Sequence, residues 1–288
     1  MRILMLCEGN AESWDSWSGI SKSIVDGLRA EGHAVTARDI DLYGFGRWAA
    51  AAATFSGDRR NWTSRYHLGA VPFRMRSMLA RRQIAALCGR VDVILQVGAT
   101  FQASSRAGIP YCLCCDSNIR MAQHGASSGF SDGTALNEAE LNRVAAREAA
   151  IYRGAAAIFT LSERLRRSFI EDFGMPPDRV RAMYAGPNFD LARLPAGAAV
   201  RREHPPTILF VGRQFERKGG DVLVESFRRV RTAIPDARLI VAGPPANSLE
   251  GPGISCVGNL DKNRPDEWRR SIARRRNART PSCSRRTS

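Results

Sequence analysis

This chain of 288 residues has almost no lysine: Lys22, Lys218 and Lys262 stand against forty arginines. Arg-rich, Ala-rich and Lys-poor usage is what GC-rich coding DNA produces, so part of the +15 net charge reflects mutational bias rather than a charged partner. Long apolar runs are absent too. No stretch approaches the ~20 residues that span a bilayer, and the opening run Arg2–Cys7 is too short for the core of a signal peptide, which makes a cytoplasmic location the expectation. Paired cysteine motifs are missing. The seven cysteines are odd in number, and Cys112, Cys114 and Cys115 crowd one apolar segment in which successive side chains face opposite sides of a strand. That argues against a disulfide framework or a closed metal site and for buried, reduced thiols. Acids are lacking from residues 269–288, which hold eight arginines and leave +7 of the +15 on the other 268 residues. A nucleic-acid or anionic-surface binder therefore stays open as a reading, but its charge sits largely on an aperiodic tail with no recognition motif.

What is present is a repeated strand–loop–helix–strand pattern. The richest example runs from Thr207 to Gly243. Ile208-Leu209-Phe210-Val211 is a short β-rich apolar run, closed by Gly212 and Arg213. After a charged loop come Lys218, Gly219 and Gly220, then a helix whose Leu223, Phe227, Val230 and Ile234 form one stripe at helical spacing. Pro235-Asp236 turns the chain into a second apolar strand, Arg238–Gly243. Units of this kind build parallel α/β sheets, and ligands bind in the loops at the carboxyl ends of the strands. Here that loop offers an Arg fork, a Lys point charge, glycines that let a ligand approach the backbone, and a helix N-terminus. Together they suit a diphosphate, although two cations in a solvated loop would give the same local pattern.

The pattern G-R-x(4)-K-G-G (Gly212–Gly220) resembles the start of the donor-binding domain of glycosyltransferase family 4, retaining enzymes of GT-B architecture. The resemblance implies that Arg213 and Lys218, with Gly212 and Gly219, hold the diphosphate of a nucleotide-sugar. It continues elsewhere. A strand at Arg2–Leu6, a polar loop, a helix with Ser18 as its cap and Ile20, Ile24, Val25 and Leu28 on its apolar face, and a C-terminal Gly32 resemble the amino-terminal start of the same family. Gly19 in that loop would face the cleft between domains. Strands are expected at Arg90–Val97 and Pro110–Asp116. From Asn137 to Asn188 the likeness is continuous: a helix with Leu141, Val144 and Ala145 inward, the short strand ending at Ser162, a helix over Glu163–Phe173, Asp172–Pro176, and Gly186-Pro187-Asn188, where Asn188 would also line the cleft. The weakest stretch is Tyr43–Arg82. Its Trp48, Phe55, Trp62 and Tyr66 could present faces to an acceptor sugar; the expectation is ordinary helices with these aromatics in the core.

The implied architecture is α/β with two Rossmann-like domains, the second incomplete. The expected boundaries are an acceptor-side domain over 1–194, a Pro/Gly-bearing linker over 195–206, a partial nucleotide-sugar-binding domain over 207–268, and a disordered Arg-rich tail over 269–288. The family's Glu-rich donor motif is not found after the donor loop; Glu140/Glu148 and Glu163/Glu171 have its spacing but lie in the first domain. Read one base out of frame, the codons of Ala278–Arg286 permit A-D-A-F-V-L-P-S, a strand the family has at this point, which implies a frameshift upstream. The activity implied by resemblance is transfer of a sugar from a nucleotide-diphosphate sugar to an unknown acceptor (glycan, lipid or small molecule) with retention, impaired in this chain. The nucleotide-sugar enters as substrate, and no cofactor or metal is expected. No catalytic residue is assigned. Nucleic acid is not an expected partner, contact with a membrane surface stays open, and a catalytically dead remnant of the same fold is the remaining alternative.

Overall fold

A computed structural model describes residues 1–103, 108–127, 135–186, 205–246, 248–260 and 264. The chain divides into two compact units, Met1–Leu194 and Pro195–Ser288. Asn188, residues 195–204 of the expected linker over 195–206, Trp268 and the tail over 269–288 lie outside the described residues.

The first unit is a six-stranded, all-parallel sheet. Its strands are β1 (Arg2–Cys7), β2 (Ala34–Asp39), β3 (Val93–Val97), β4 (Tyr111–Cys115), β5 (Ala157–Thr160) and β6 (Val180–Ala182), in the order β2-β1-β3-β4-β5-β6. The chain leaves β1 first toward β2 and later toward β3, so the sheet has a topological switch point between β1 and β3, where open α/β sheets form their crevice. Helices α1 (Ile20–Ala30), α2 (Gly44–Ala53), α3 (Arg59–Leu68), α4 (Ala70–Ala86), α5 (Ile119–Ser127), α6 (Glu138–Gly154) and α7 (Glu163–Glu171) connect them. Both faces of β1 are covered. Leu4 and Leu6 join one core with Phe73, Ile84 and Leu113, while Ile3, Met5 and Cys7 join another with Val25 and Val35. This is why β1 reads as continuous apolar sequence rather than as an alternation.

Local signals explain most boundaries. Helix α6 opens with a capping box: the Asn137 side chain accepts from the Glu140 amide, and the Glu140 carboxylate accepts from the Asn137 amide. Helix α1 closes with His33 N–H donating to Leu28 O and Gly32 N–H donating to Arg29 O, the double bond of a glycine C-terminus with Gly32 at φ +78°. Its start differs from expectation. Ser18 is not the cap; Trp17, Ser18 and Gly19 all take left-handed backbone angles, and Gly19 precedes the helix with no side-chain cap. Among the expected core aromatics, Trp48 and Phe55 are instead exposed, at 76% and 66%. Trp62 and Tyr66 are half-buried. The Cys114 and Cys115 thiols are buried in β4, and burial pushes the Cys114 thiol up to about 12.

The second unit has three parallel strands among the described residues, β7 (Thr207–Val211), β8 (Arg238–Ala242) and β9 (Ile254–Gly258), in that order. Helix α8 (Gly220–Ala233) packs Phe227 onto Leu239, Val241 and Cys256. Among the described residues, no helix is long and apolar enough to cross a membrane.

Candidate functional site

The loop expected from the sequence to bind a diphosphate lies between β7 and α8, at the carboxyl edge of the second sheet. Three strand ends are pinned together there: Gly212 N–H donates to Ala242 O at 2.8 Å, and Gly243 N–H donates to Gly258 O at 2.9 Å. The approach is so close that a Cβ on Gly243, at φ +129°, would stand 2.2 Å from Gly212 O and 2.8 Å from Arg213 N. Gly212 is needed for a second reason. A Cβ there would meet Lys218 Cδ at 2.8 Å and the Phe210 ring at 3.0 Å. The Lys218 stem therefore lies back across Gly212, the residue that precedes Arg213, although Lys218 is six positions further along the chain.

A 3-10 turn over Glu216–Lys218 makes this return possible, and Gly219 follows in the left-handed region at φ +75°, ψ +29°. The turn has a consequence for anion binding. The Gly219 and Gly220 amides are taken by the carbonyls of Glu216 and Phe215, so the field of α8 must act through the next amides, Asp221 and Val222, and through the helix dipole. Arg213 and Lys218 are exposed, and among the described residues neither forms an ion pair. Two cations on one turn can neutralise a diphosphate, and the turn also carries an exposed carboxylate, Glu216.

The corresponding edge of the first sheet carries a different arrangement. Glu8 follows β1 directly, and Thr100 follows β3; the Thr100 hydroxyl donates to the Glu8 carboxylate. Arg76 of α4 is fully buried beneath them, with Nε 2.9 Å from Glu8 Oε2 and Nη2 3.7 Å from Asp41 Oδ1. Nη1 reaches the His67 carbonyl at 3.5 Å, and the guanidinium carbon stands 5.5 Å from the Tyr66 ring centre. Charge rather than aligned hydrogen bonding holds Nε and Nη2, since neither makes a well-directed hydrogen bond. Gly19, buried at φ +88°, belongs to the loop after β1; a Cβ there would collide with the Trp14 ring at 2.6 Å.

The family description "Glycosyl transferase 4-like domain" matches residues 21–186, more than half of the chain. The chain belongs to this family. The matched region lies within the first unit and ends ahead of β7. The "Putative glycosyltransferase YtcC" of Bacillus subtilis (strain 168) is 35% identical over 99 residues, which is 30% of this chain and 24% of that protein. The alignment thus spans about a quarter of that relative. Two solved structures are similar over most of the chain. The S. aureus MnaA-UDP co-structure has a TM-score of 0.48 at 11% identity, covering 94% of this chain and 72% of that one. The glycosyltransferase SnogD from Streptomyces nogalater has a TM-score of 0.47 at 14% identity, covering 91% and 73%.

In this glycosyl transferase 4-like chain the structure brings together four of the sequence-predicted residues, Gly212, Arg213, Lys218 and Gly219. Gly19 sits in the first unit, at the carboxyl edge of its own sheet. Two features escaped sequence reading. Gly243 was visible only as the end of a strand, yet its lack of a side chain lets the Arg213 backbone pack against it. The Glu8–Arg76–Asp41 cluster joins residues 68 and 35 positions apart in sequence. The available signal was a carboxylate close behind each of two parallel strands, Glu8 directly after β1 and Asp41 two residues after β2.

Proposed function

We propose that this family member transfers a sugar from a nucleotide-diphosphate sugar to an acceptor with retention of anomeric configuration. Arg213 and Lys218 grip the diphosphate. The supporting observation is the Lys218 stem laid across Gly212, which sets both cations on one turn at the carboxyl end of β7. As the bond between the anomeric carbon and the diphosphate oxygen breaks, negative charge grows on the leaving group. Two preplaced cations that form no ion pair among the described residues stabilise that charge more than they stabilise the intact donor. This role requires no metal and no bound cofactor. Retention follows the retaining enzymes that Gly212–Gly220 resembles. The first unit takes the acceptor, at the carboxyl edge where Glu8, Thr100 and the Gly19 loop lie.

The test is release of nucleoside diphosphate from a panel of uridine- and guanosine-diphosphate sugars, with Arg213→Ala and Lys218→Ala measured beside the native chain. The expected result is release from at least one donor, reduced about tenfold or more in each variant. Equal release by all three proteins, or none from any donor, would overturn the proposal.

A further inference from the structure

Helix α2 is amphipathic in an unusual sense: its buried side is nearly bare and its outer side is aromatic. Ala50 is fully buried, and a Cβ on Gly46 would lie 3.7 Å from Met75 Cε, so small residues seat the helix on α4. Phe45 and Trp48, one turn apart, point away from that contact and are 88% and 76% exposed. Just past the helix, Phe55 is 66% exposed and stacks edge-on against Trp62, with ring centres 5.4 Å apart. The Trp62 indole N–H donates to Ala51 O at 2.9 Å, which ties α3 to α2 and fixes the aromatic cluster on a rigid base. Large exposed aromatics grouped in this way cost solubility and mark a surface that meets something.

Charge decides what it meets. Residues 44–90, which make up α2, α3 and α4 with their connections, contain nine arginines and a single acid, Asp58; two of the nine are answered from outside the segment, Arg76 by Glu8 and Asp41 and Arg65 by Glu140. Asp58 is occupied as the cap of α3, accepting from the Arg60 and Asn61 amides. Arg47 on α2 and Arg59 and Arg60 at the start of α3 are exposed beside the aromatics. Phe and Trp rings inside an arginine fringe match the interface of an anionic bilayer: the rings enter the headgroup boundary and the guanidinium groups pair with lipid phosphates. A protein partner of complementary charge would need acids facing this fringe and a pocket for Trp48. A single-stranded nucleic acid would need the rings arranged as a stacking platform along a groove, whereas Phe45 and Trp48 project from a convex helix.

We propose that the outer face of α2, with Phe45, Trp48 and Phe55 inserted and Arg47, Arg59 and Arg60 around them, docks this chain on an anionic lipid surface. Docking is peripheral. It also orients the molecule, because α2 begins five residues after β2 ends and so lies at the carboxyl rim of the first sheet. The Tyr43 hydroxyl, donating to Asp39 Oδ2 at 2.6 Å, binds the start of α2 to that rim.

The experiment is co-sedimentation of the full chain with vesicles of phosphatidylcholine alone and of phosphatidylcholine with about a third phosphatidylglycerol. The native chain should bind the anionic vesicles and bind the neutral ones far more weakly. Phe45→Ala/Trp48→Ala should weaken binding at least tenfold, since each ring removed is worth about a decade of partitioning. Arg59→Ala/Arg60→Ala should weaken it by about fivefold per arginine and flatten its salt dependence. Both pairs are exposed, so thermal unfolding should be unchanged and serves as the folding control. The variants retain the arginine-rich residues 269–288. Undiminished vesicle binding by Phe45→Ala/Trp48→Ala would therefore assign the affinity to those residues and overturn the proposal. So would failure of the native chain to bind anionic vesicles, a native dimer that the aromatic variant abolishes, or preference for a single-stranded oligonucleotide over the vesicles in direct competition.

Discussion

The two units use the same strand–loop–helix device and differ in what surrounds its first strand and first loop. In the first unit β1 is buried on both faces, and Leu4 and Met5 on opposite sides are both fully buried. In the second, β7 is covered on the side of Ile208 and Phe210, which pack toward Phe227, while Leu209 and Val211 are 51% and 62% exposed. The cations at the carboxyl edges of the two sheets contrast in the same way. The first unit's cation, Arg76, is buried and answered by Glu8 and Asp41. The second unit's cations, Arg213 and Lys218, are exposed and unanswered among the described residues. A buried, neutralised Arg is structural, because its charge is already spent on the fold. Exposed cations on a glycine turn leave their charge available to a ligand, as the proposed function requires. The loop after β1 has no basic residue of its own, and this contrast is what favours the second unit in the proposed donor assignment.

The largest expected effect tests the electrostatic half of this comparison. Glu8→Ala leaves Arg76 buried beside the more distant Asp41 alone, and should lower the unfolding free energy of the first unit by about 3–5 kcal/mol. Arg213→Ala should change stability by no more than about 0.5 kcal/mol. Denaturant unfolding of both variants measures the pair; equal effects would erase the distinction. Next in size is the packing half. Leu4→Ala should cost about 2–5 kcal/mol through the cavity it leaves, and Leu209→Ala, at the same place in the other unit's first strand, under about 1 kcal/mol. A Leu209 loss as large as that of Leu4 would mean that β7 is covered on both faces.

A smaller effect sharpens what a counter-ion does for a buried acid. Glu148 of α6 is 6% exposed and accepts from the Ile119 amide at 3.0 Å; burial pushes its carboxyl up to about 7. The folded chain therefore favours the protonated form. The stability this contributes is complete below the unfolded carboxylate range and is lost as pH rises through about 7. Glu148→Gln should remove that loss, shrinking the fall in unfolding free energy between roughly pH 5 and roughly pH 8 by about 2–3 kcal/mol. An unaltered pH profile would show that Glu148 is ionised in the fold.

Much of the fold was legible because strands such as β1, β3, β4 and β8 are short apolar runs and helices such as α1, α6 and α8 carry a cap, a terminal glycine or a stripe that local chemistry explains, as at Asn137 and Gly32. The start of α1 was not legible. Ser18 looks like a cap, but three successive left-handed residues place Gly19 there instead, and side-chain propensity does not announce such a turn. Nor was the surface of α2. Trp48 and Phe55 are core residues by hydrophobicity alone, and their exposure follows from a tertiary fact, that Gly46 and Ala50 already fill the contact with α4. The Gly212–Gly220 turn was readable residue by residue because its parts lie within eight positions of one another. The Glu8–Arg76 pair was not, since nothing local distinguishes Arg76 from its eight neighbouring arginines over 44–90.

The central claim is that Arg213 and Lys218 together hold a diphosphate, and calorimetric titration with uridine and guanosine diphosphates tests it most directly. The account predicts saturable binding of at least one of them, a loss of roughly 1.5–3 kcal/mol in Arg213→Ala and in Lys218→Ala, and a double variant whose loss falls short of the sum because both side chains serve one ligand. Binding of unchanged affinity in both single variants, with unfolding also unchanged, would contradict it.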